Sequence, residues 1–162
     1  MAWCSTTLLG AIYVIASHTD FPRPPGAFTQ PWQVEWRDVD QDQNLNIAAY
    51  ADYLLEFVLN AAAACGWTFE HSACQGFASY IRRQWFSILE PITLGDELEL
   101  TTWLSNVKRA TFMRHFTIQR VADGSKIGGS HTLWACVDPR SGRPVRIPEA
   151  WSRDFAPQIS KD

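Results

Sequence analysis

The sequence lacks the features that would place it in the commoner metal, redox and hydrolase classes. No CxxC pair joins its four cysteines, Cys4, Cys65, Cys74 and Cys136, so neither a zinc site nor a dithiol motif is indicated. A reduced, cytoplasmic protein with structural thiols and no metal is the simplest expectation. GxSxG, HExxH and P-loop patterns are missing too, which removes the usual serine, zinc and nucleotide chemistries. The apolar run Leu8–Ala16 falls short of the ~20 residues that a membrane-crossing helix needs. No Lys or Arg precedes it, as one would in a secretory signal, so no membrane span is expected.

Positive charge is scarce in the first part of the chain. Through Asn106 there are 4 basic and 12 acidic residues, whereas from Val107 onward there are 10 basic and 5 acidic. An anionic ligand, such as the phosphates of a coenzyme or the acidic face of a carrier protein, would favour that second part, although solvated strand ends would look the same. Nucleic acid is not an expected partner, because the net charge is -3 and the pI near 5.8.

What is present is a well-packed globular composition, with 46% hydrophobic residues, 13% aromatics and eight tryptophans in 162 residues, enough for one domain. The segment FPRPPGAF reads as a linker. It divides the chain into an N-terminal extension, residues 1–29, and a folded domain, residues 30–162. A β-like run from Trp32 to Arg37 leads into a polar turn, Asp38–Asn46, and then a helix. Ala51, Leu54, Leu55, Val58, Leu59 and Ala62 form an apolar stripe expected to be buried, opposite Asp52, Glu56 and Asn60, and Gly66 is the stop. Period two then takes over in Phe77–Leu89, Glu97–Val107, Thr111–Val121 and Gly128–Asp138, and a short helix starts near Pro148. Strands and helices do not alternate, so a doubly wound parallel sheet is excluded. The order β-α-β-β-β-β predicts an α+β fold, a single hotdog domain whose antiparallel sheet wraps one long central helix; periodicity alone leaves other α+β folds open.

The chemically dense segment is Asp38-Val-Asp-Gln-Asp-Gln-Asn-Leu-Asn46. It is not an EF-hand loop, since the glycine and glutamate positions hold Gln43 and Ala49. One account makes these side chains turn formers, with Asn46 as the helix cap. The other is catalytic. A helix N-terminus offers unpaired N–H groups and a positive dipole end that stabilise the oxyanion of an attacked carbonyl, and an adjacent carboxylate attacks the carbon or activates water.

Residues Asp38 to Glu56 resemble the signature of hotdog thioesterases. It is written roughly DxDxxxHVNNxxYxxWxxE in the acyl-carrier-protein branch and DTDxxGVVYxxxY in the 4-hydroxybenzoyl-CoA branch. The aspartate pair and Tyr50 are in register with both. More loosely, Pro91 with Gly95-Asp96 resembles the family's turn, Val107–Phe112 its coenzyme-contacting strand start, and Cys136–Pro148 its final strand and tail.

The resemblance implies Asp40 as catalytic carboxylate and the backbone N–H of Ile47 facing the thioester oxygen. With no histidine at the family's position, either Asp40 does more alone or Asp42 and Asn46 help it to position water. Lys108, Arg109 and Thr111 match positions that bind coenzyme A phosphates, and Glu56 matches a glutamate of the carrier-protein branch while also belonging to the helix's polar stripe. No cofactor is implied, coenzyme A being part of the substrate. The departures are Asn44 for the family's histidine, Gln43 for its glycine and Ile47 for the second asparagine of VNN.

The expected activity is hydrolysis of an acyl-CoA to free acid and CoA, within fatty acid metabolism, by a homodimer or homotetramer that draws cations and carboxylate from different chains. Release of a fatty acyl or polyketide chain from an acyl carrier protein is the alternative enzyme. A dehydratase is disfavoured, because His18, His71, His115 and His131 all lie away from the acidic segment. A non-catalytic acyl-binding module is the alternative from another class.

Overall fold

A computed structural model of the chain describes residues 22–161. The N-terminal extension up to Phe21, with Cys4, Leu8–Ala16 and His18, lies outside the described residues. The elements in order are β1 (Phe28–Gln33), a 3-10 turn (Trp36–Asp38), α1 (Ile47–Ala64), α2 (Phe69–Cys74), β2 (Ala78–Ile88), β3 (Glu97–Ser105), β4 (Thr111–Arg120), β5 (Lys126–Val137), α3 (Glu149–Asp154) and a second 3-10 turn (Ala156–Gln158). The strands form one five-stranded sheet in the order β1-β3-β4-β5-β2, antiparallel throughout, with α1 on one face. This is the hotdog arrangement that the element order predicts.

The first strand lies four residues earlier than the Trp32–Arg37 run suggests. Pro31 cannot donate to a ladder, but β1 is an edge strand paired only with β3, where a missing donor costs little. At Val34 the chain leaves the sheet: its N–H donates to the Asp96 carbonyl, and residues 36–38 tighten into the 3-10 turn.

The helix α1 is amphipathic, but its buried face is rotated from the one the apolar stripe suggests. Tyr50, Leu54, Phe57, Val58 and Ala61 are buried, whereas Ala51, Leu55 and Leu59 are exposed. The aromatic residues decide this. Phe57, fully buried, meets Phe28 of β1 at 5.5 Å and Phe116 of β4 at 6.2 Å between ring centroids, and Tyr50 meets Phe86 of β2 at 5.7 Å. The sheet therefore curls around the Tyr50–Phe57 side of α1. By length and hydropathy alone α1 is apolar enough to cross a membrane, yet these contacts make it the core helix.

Along β4, Phe112, Arg114, Phe116 and Ile118 alternate toward α1, all of them buried. On the opposite face Trp103 stacks on His115 at 5.4 Å, and Ser105 Oγ and His115 Nε2 are 2.7 Å apart. The chain then returns over the α1 face. Trp151 packs on Phe112 and Phe155, and Trp67 donates from Nε1 to Asp154 Oδ2 at 3.1 Å, joining the end of α1 to α3.

Candidate active site

Two loops build the polar end of α1. The segment 38–46 closes on itself: Val39 bridges Leu45, the Asp40 N–H donates to the Asn44 carbonyl at 2.8 Å, and the Gln43 N–H donates to the Asp40 carbonyl at 3.1 Å. The tight return requires a left-handed residue, and Gln43 takes it at φ 63°. That is the position where the resemblance expects glycine, which adopts this conformation without steric cost.

The connection from β2 to β3 supports this loop from outside. Leu45 donates to Ile92 O at 2.8 Å, Leu94 to Gln43 O at 3.1 Å, and Gly95, at φ 87°, to Val34 O at 3.0 Å. Arg120 holds the same connection to the sheet through Glu90 Oε2 at 2.8 Å and Asp96 Oδ1 at 3.4 Å. The Pro91…Gly95-Asp96 turn is thus the buttress of the acidic loop.

The two aspartates of the DxD pair have different surroundings. Asp38 is buried, with its Oδ2 accepting the Glu35 N–H at 2.9 Å and its carbonyl accepting the Asn46 N–H at 2.7 Å. It holds the loop together. Asp40 is exposed, and its Oδ1 accepts the N–H groups of Asp42 at 2.9 Å and Asn44 at 3.0 Å. Both bonds fall on one oxygen, so the carboxylate is fixed by its own backbone while Oδ2 stays open to a substrate or water.

Asn46 caps the helix, its Oδ1 accepting the Ala48 N–H at 2.8 Å. Ile47, the first helical residue, is exposed, and its N–H is one of the first-turn donors for which helix geometry supplies no carbonyl. Asp40, Asn46 and Ile47 therefore belong to one loop-and-helix unit. One turn into the helix, the Tyr50 hydroxyl is buried without a hydrogen-bond partner, and burial pushes its phenol well above the ordinary value.

Lys108, Arg109 and Thr111 lie elsewhere. They form the β3–β4 turn, where the Lys108 N–H donates to Thr111 O at 2.7 Å, Asn106 takes φ 48° and Arg109 O accepts the Ile147 N–H at 2.8 Å. The acidic loop sits at the other end of β3, whose nine residues span roughly 30 Å at ~3.3 Å each. One chain does not bring the cations to Asp40.

Beside the C-terminal half of α1 lies a cavity of ≈310 Å³, bounded by Leu55, Val58 and Leu59 of α1, by α2 and by the starts of β2 and β4. Its wall includes Trp67, Phe69, Phe77 and Tyr80, and one charged side chain, Arg114. Trp67 and Phe77 are core residues as well, while Phe69 and Tyr80 are exposed. A smaller hollow lined by Ala51, Leu55 and Val58 continues it toward the helix N-terminus. Sequence reasoning missed α2 and Arg114. The available signal was an arginine at period two between Phe112 and Phe116, on the apolar face of its strand.

The model of the acyl-ACP thioesterase N-terminal domain matches residues 25–155. The chain belongs to the acyl-ACP thioesterase family. No curated protein sequence matches it significantly. Among solved structures it is similar to the 12:0-ACP thioesterase of Umbellularia californica, at 19% identity and TM-score 0.74 over 88% of this chain and 57% of that one. It is also similar to a 1,4-dihydroxy-2-naphthoyl-CoA thioesterase from Synechocystis, at 15% identity and TM-score 0.73 over 80% of this chain and 96% of that one. A Staphylococcus aureus protein solved in complex with CoA has 16% identity and TM-score 0.75 over 80% of this chain and 82% of that one. At such identities these likenesses show the hotdog fold. As a member of the acyl-ACP thioesterase family, the chain spans little more than half the length of the Umbellularia enzyme.

Proposed function

We propose that this chain hydrolyses the thioester of an acyl group carried on a phosphopantetheine arm, with Asp40 as the catalytic carboxylate. The observation that carries the proposal is the pinned, half-open carboxylate on the loop that ends in the capped N-terminus of α1. The thioester oxygen accepts the Ile47 N–H, and the helix dipole stabilises the charge that develops there. Asp40 Oδ2 faces the carbonyl carbon. No histidine lies in the acidic loop, so Asp40 works without an imidazole partner, and Asn46 and Asn44 hold the geometry around it. The chemistry calls for no cofactor, coenzyme A or pantetheine entering only with the substrate.

Two roles are open to Oδ2. As a general base it deprotonates water, which attacks the carbon; as a nucleophile it forms an acyl anhydride that water then opens. A single turnover in 18O-water, with the label sought on Asp40, tests the nucleophile. Label on Asp40 identifies an anhydride opened at the Asp40 carboxyl carbon, whereas hydroxylamine trapping of the anhydride identifies a nucleophile whose label goes to the acid; neither signal is expected of a base.

Family membership favours acyl carrier protein as the carrier of the arm. Acyl-CoA is the second reading, favoured by the exposed Lys108-Arg109 turn as a phosphate site. Either way, a two-fold dimer supplies the missing end of the site. The edge strand β2 has one neighbour and exposes Tyr80, Ile81, Phe86 and Ile88, an edge suited to pairing with a second copy. Antiparallel β2–β2 pairing brings the Asp40 end of one subunit beside the Lys108 end of its partner, because β2 runs from the level of Val137 to that of Gly128. The test is a panel of acyl-CoA and acyl-carrier-protein thioesters of short, long and aromatic acyl groups. Release of free acid from at least one set is expected, together with the solution mass of a dimer or tetramer. Hydrolysis of none would favour an acyl-binding module instead, and an active monomer would rule out the shared site.

A further inference from the structure

Arg114 is 2% exposed and sits on the apolar face of β4, between Phe112 and Phe116. Of its five N–H donors, one hydrogen bond is formed, a long one of 3.3 Å from Nη1 to Thr102 Oγ1, and Nε has no partner. Among the described residues the ion pairs involve Arg37, Arg120 and Arg153, and none reaches Arg114. Asp154 already receives Trp67 Nε1 and Arg153 Nε. The Phe155 ring, 6.0 Å from the guanidinium carbon, is at the limit of a cation–π contact. Burial lowers the guanidinium pKa to about 10, which leaves it charged at neutral pH.

A buried cation without a counter-charge costs several kcal/mol. Here that cation lines the ≈310 Å³ cavity, at the low end of the ~300–1,000 Å³ of ligand pockets. The cavity is otherwise apolar, so it accommodates a chain while offering one place for an anion. Its α1 residues, Leu55 to Ala62, lie roughly 12–22 Å along the helix from Ile47, and a hollow of ≈30 Å³ at Ala51–Leu55, room for about one water, lies between the two. A long acyl group whose carbonyl sits at the helix N-terminus and whose chain widens that hollow brings its far end to Arg114.

We infer that the cavity takes the far end of an acyl group that ends in a carboxylate, which pairs with Arg114. The substrate class is thus the monothioester of a dicarboxylic acid, and the inference rests on the thioesterase reading above. The carboxylate fills the guanidinium's empty donor positions, and methylene groups fill the apolar wall. A methyl-terminated chain of equal length leaves the cation unpaired.

The experiment compares dodecanoyl- and dodecanedioyl-pantetheine as substrates, long enough to span that distance, and dodecanedioate and its neutral dimethyl ester as ligands, for the parent, Arg114→Lys and Arg114→Met. The parent's kcat/KM is expected to favour the dodecanedioyl thioester roughly 10- to 100-fold, the range of a hydrogen bond to a charged group. Dodecanedioate, and not its dimethyl ester, is expected to raise the parent's thermal midpoint. Arg114→Lys keeps part of the preference, and Arg114→Met abolishes or reverses it. Equal or better hydrolysis of the dodecanoyl thioester by the parent, with no effect of dodecanedioate, overturns the inference and leaves the thioesterase reading standing. Midpoint shifts that depend on dodecanedioate and Arg114, without hydrolysis of either thioester, overturn the thioesterase reading and support the anion site. The parent's own preference decides the matter if Arg114→Met does not fold.

Discussion

The two ends of α1 use opposite means to hold a functional group. At the N-terminal end the residues are exposed and short, and the backbone does the positioning: Asp40 is fixed by the N–H groups of Asp42 and Asn44, and Asn46 by that of Ala48. At the C-terminal end packing does the positioning: Arg114 is buried beside large side chains, of which Trp67 and Phe77 are buried and Phe69 and Tyr80 exposed. A carboxylate held by backbone keeps access to water, as hydrolysis requires. A cation held by packing is shielded from bulk water, and on the inference above its need for an acceptor would set selectivity.

The largest effect that would sharpen this comparison is in the packed region. Phe57→Ala removes the ring that joins α1 to β1 and β4 and is expected to cost about 3–5 kcal/mol in chemical denaturation. Leu55→Ala, two residues away but half exposed, should cost less than about 1 kcal/mol. Equal costs would mean that the cavity wall is part of the core.

Next comes pH. Burial, with His131 nearby, holds His115 neutral and pushes its pKa down to about 4. Its folded value is below its unfolded value near 6.5, so the unfolded state binds the proton first. The stability it contributes is full above about pH 6.5 and is lost as pH falls toward 4, on the order of 2–3 kcal/mol. Thermal midpoints across that window, set beside rates, would separate acid unfolding from loss of catalysis. A flat stability profile would contradict the assignment.

Within the acidic loop, Asp38→Ala strands the Glu35 N–H and is expected to cost about 1–3 kcal/mol, whereas Asp40→Ala, at an exposed position, should cost less than 1 kcal/mol. Smallest is a gain: Gln43→Gly relieves the left-handed residue and is expected to add about 1 kcal/mol. A loss on that change would mean that the Gln43 side chain supports the loop.

The sequence was most legible where local pattern and tertiary role coincide. From Glu97 onward, period two and the turn residues located β3, β4 and β5 to within two residues, because each strand runs between turn-forming residues and one of its faces is apolar. The Asp38–Asn46 loop was legible for a similar reason, since its turn formers and its cap are local devices. The buried face of α1 was not. Apolar residues cover most of that helix, and only the curl of the sheet around Tyr50 and Phe57 selects among them. Six-residue α2 is too short to show a period. Arg114 looked like one cation among ten in the second part of the chain, because its burial depends on α1, α2 and α3 together.

The account stands most directly on the rate of Asp40→Asn. An asparagine oxygen still accepts the Asp42 and Asn44 N–H groups, so the loop and the thermal midpoint should stay as they are. At saturating thioester, kcat is expected to fall by roughly 10²–10⁴, the contribution of a positioned acid–base group. A folded Asp40→Asn that turns over as fast as the parent would contradict the central claim.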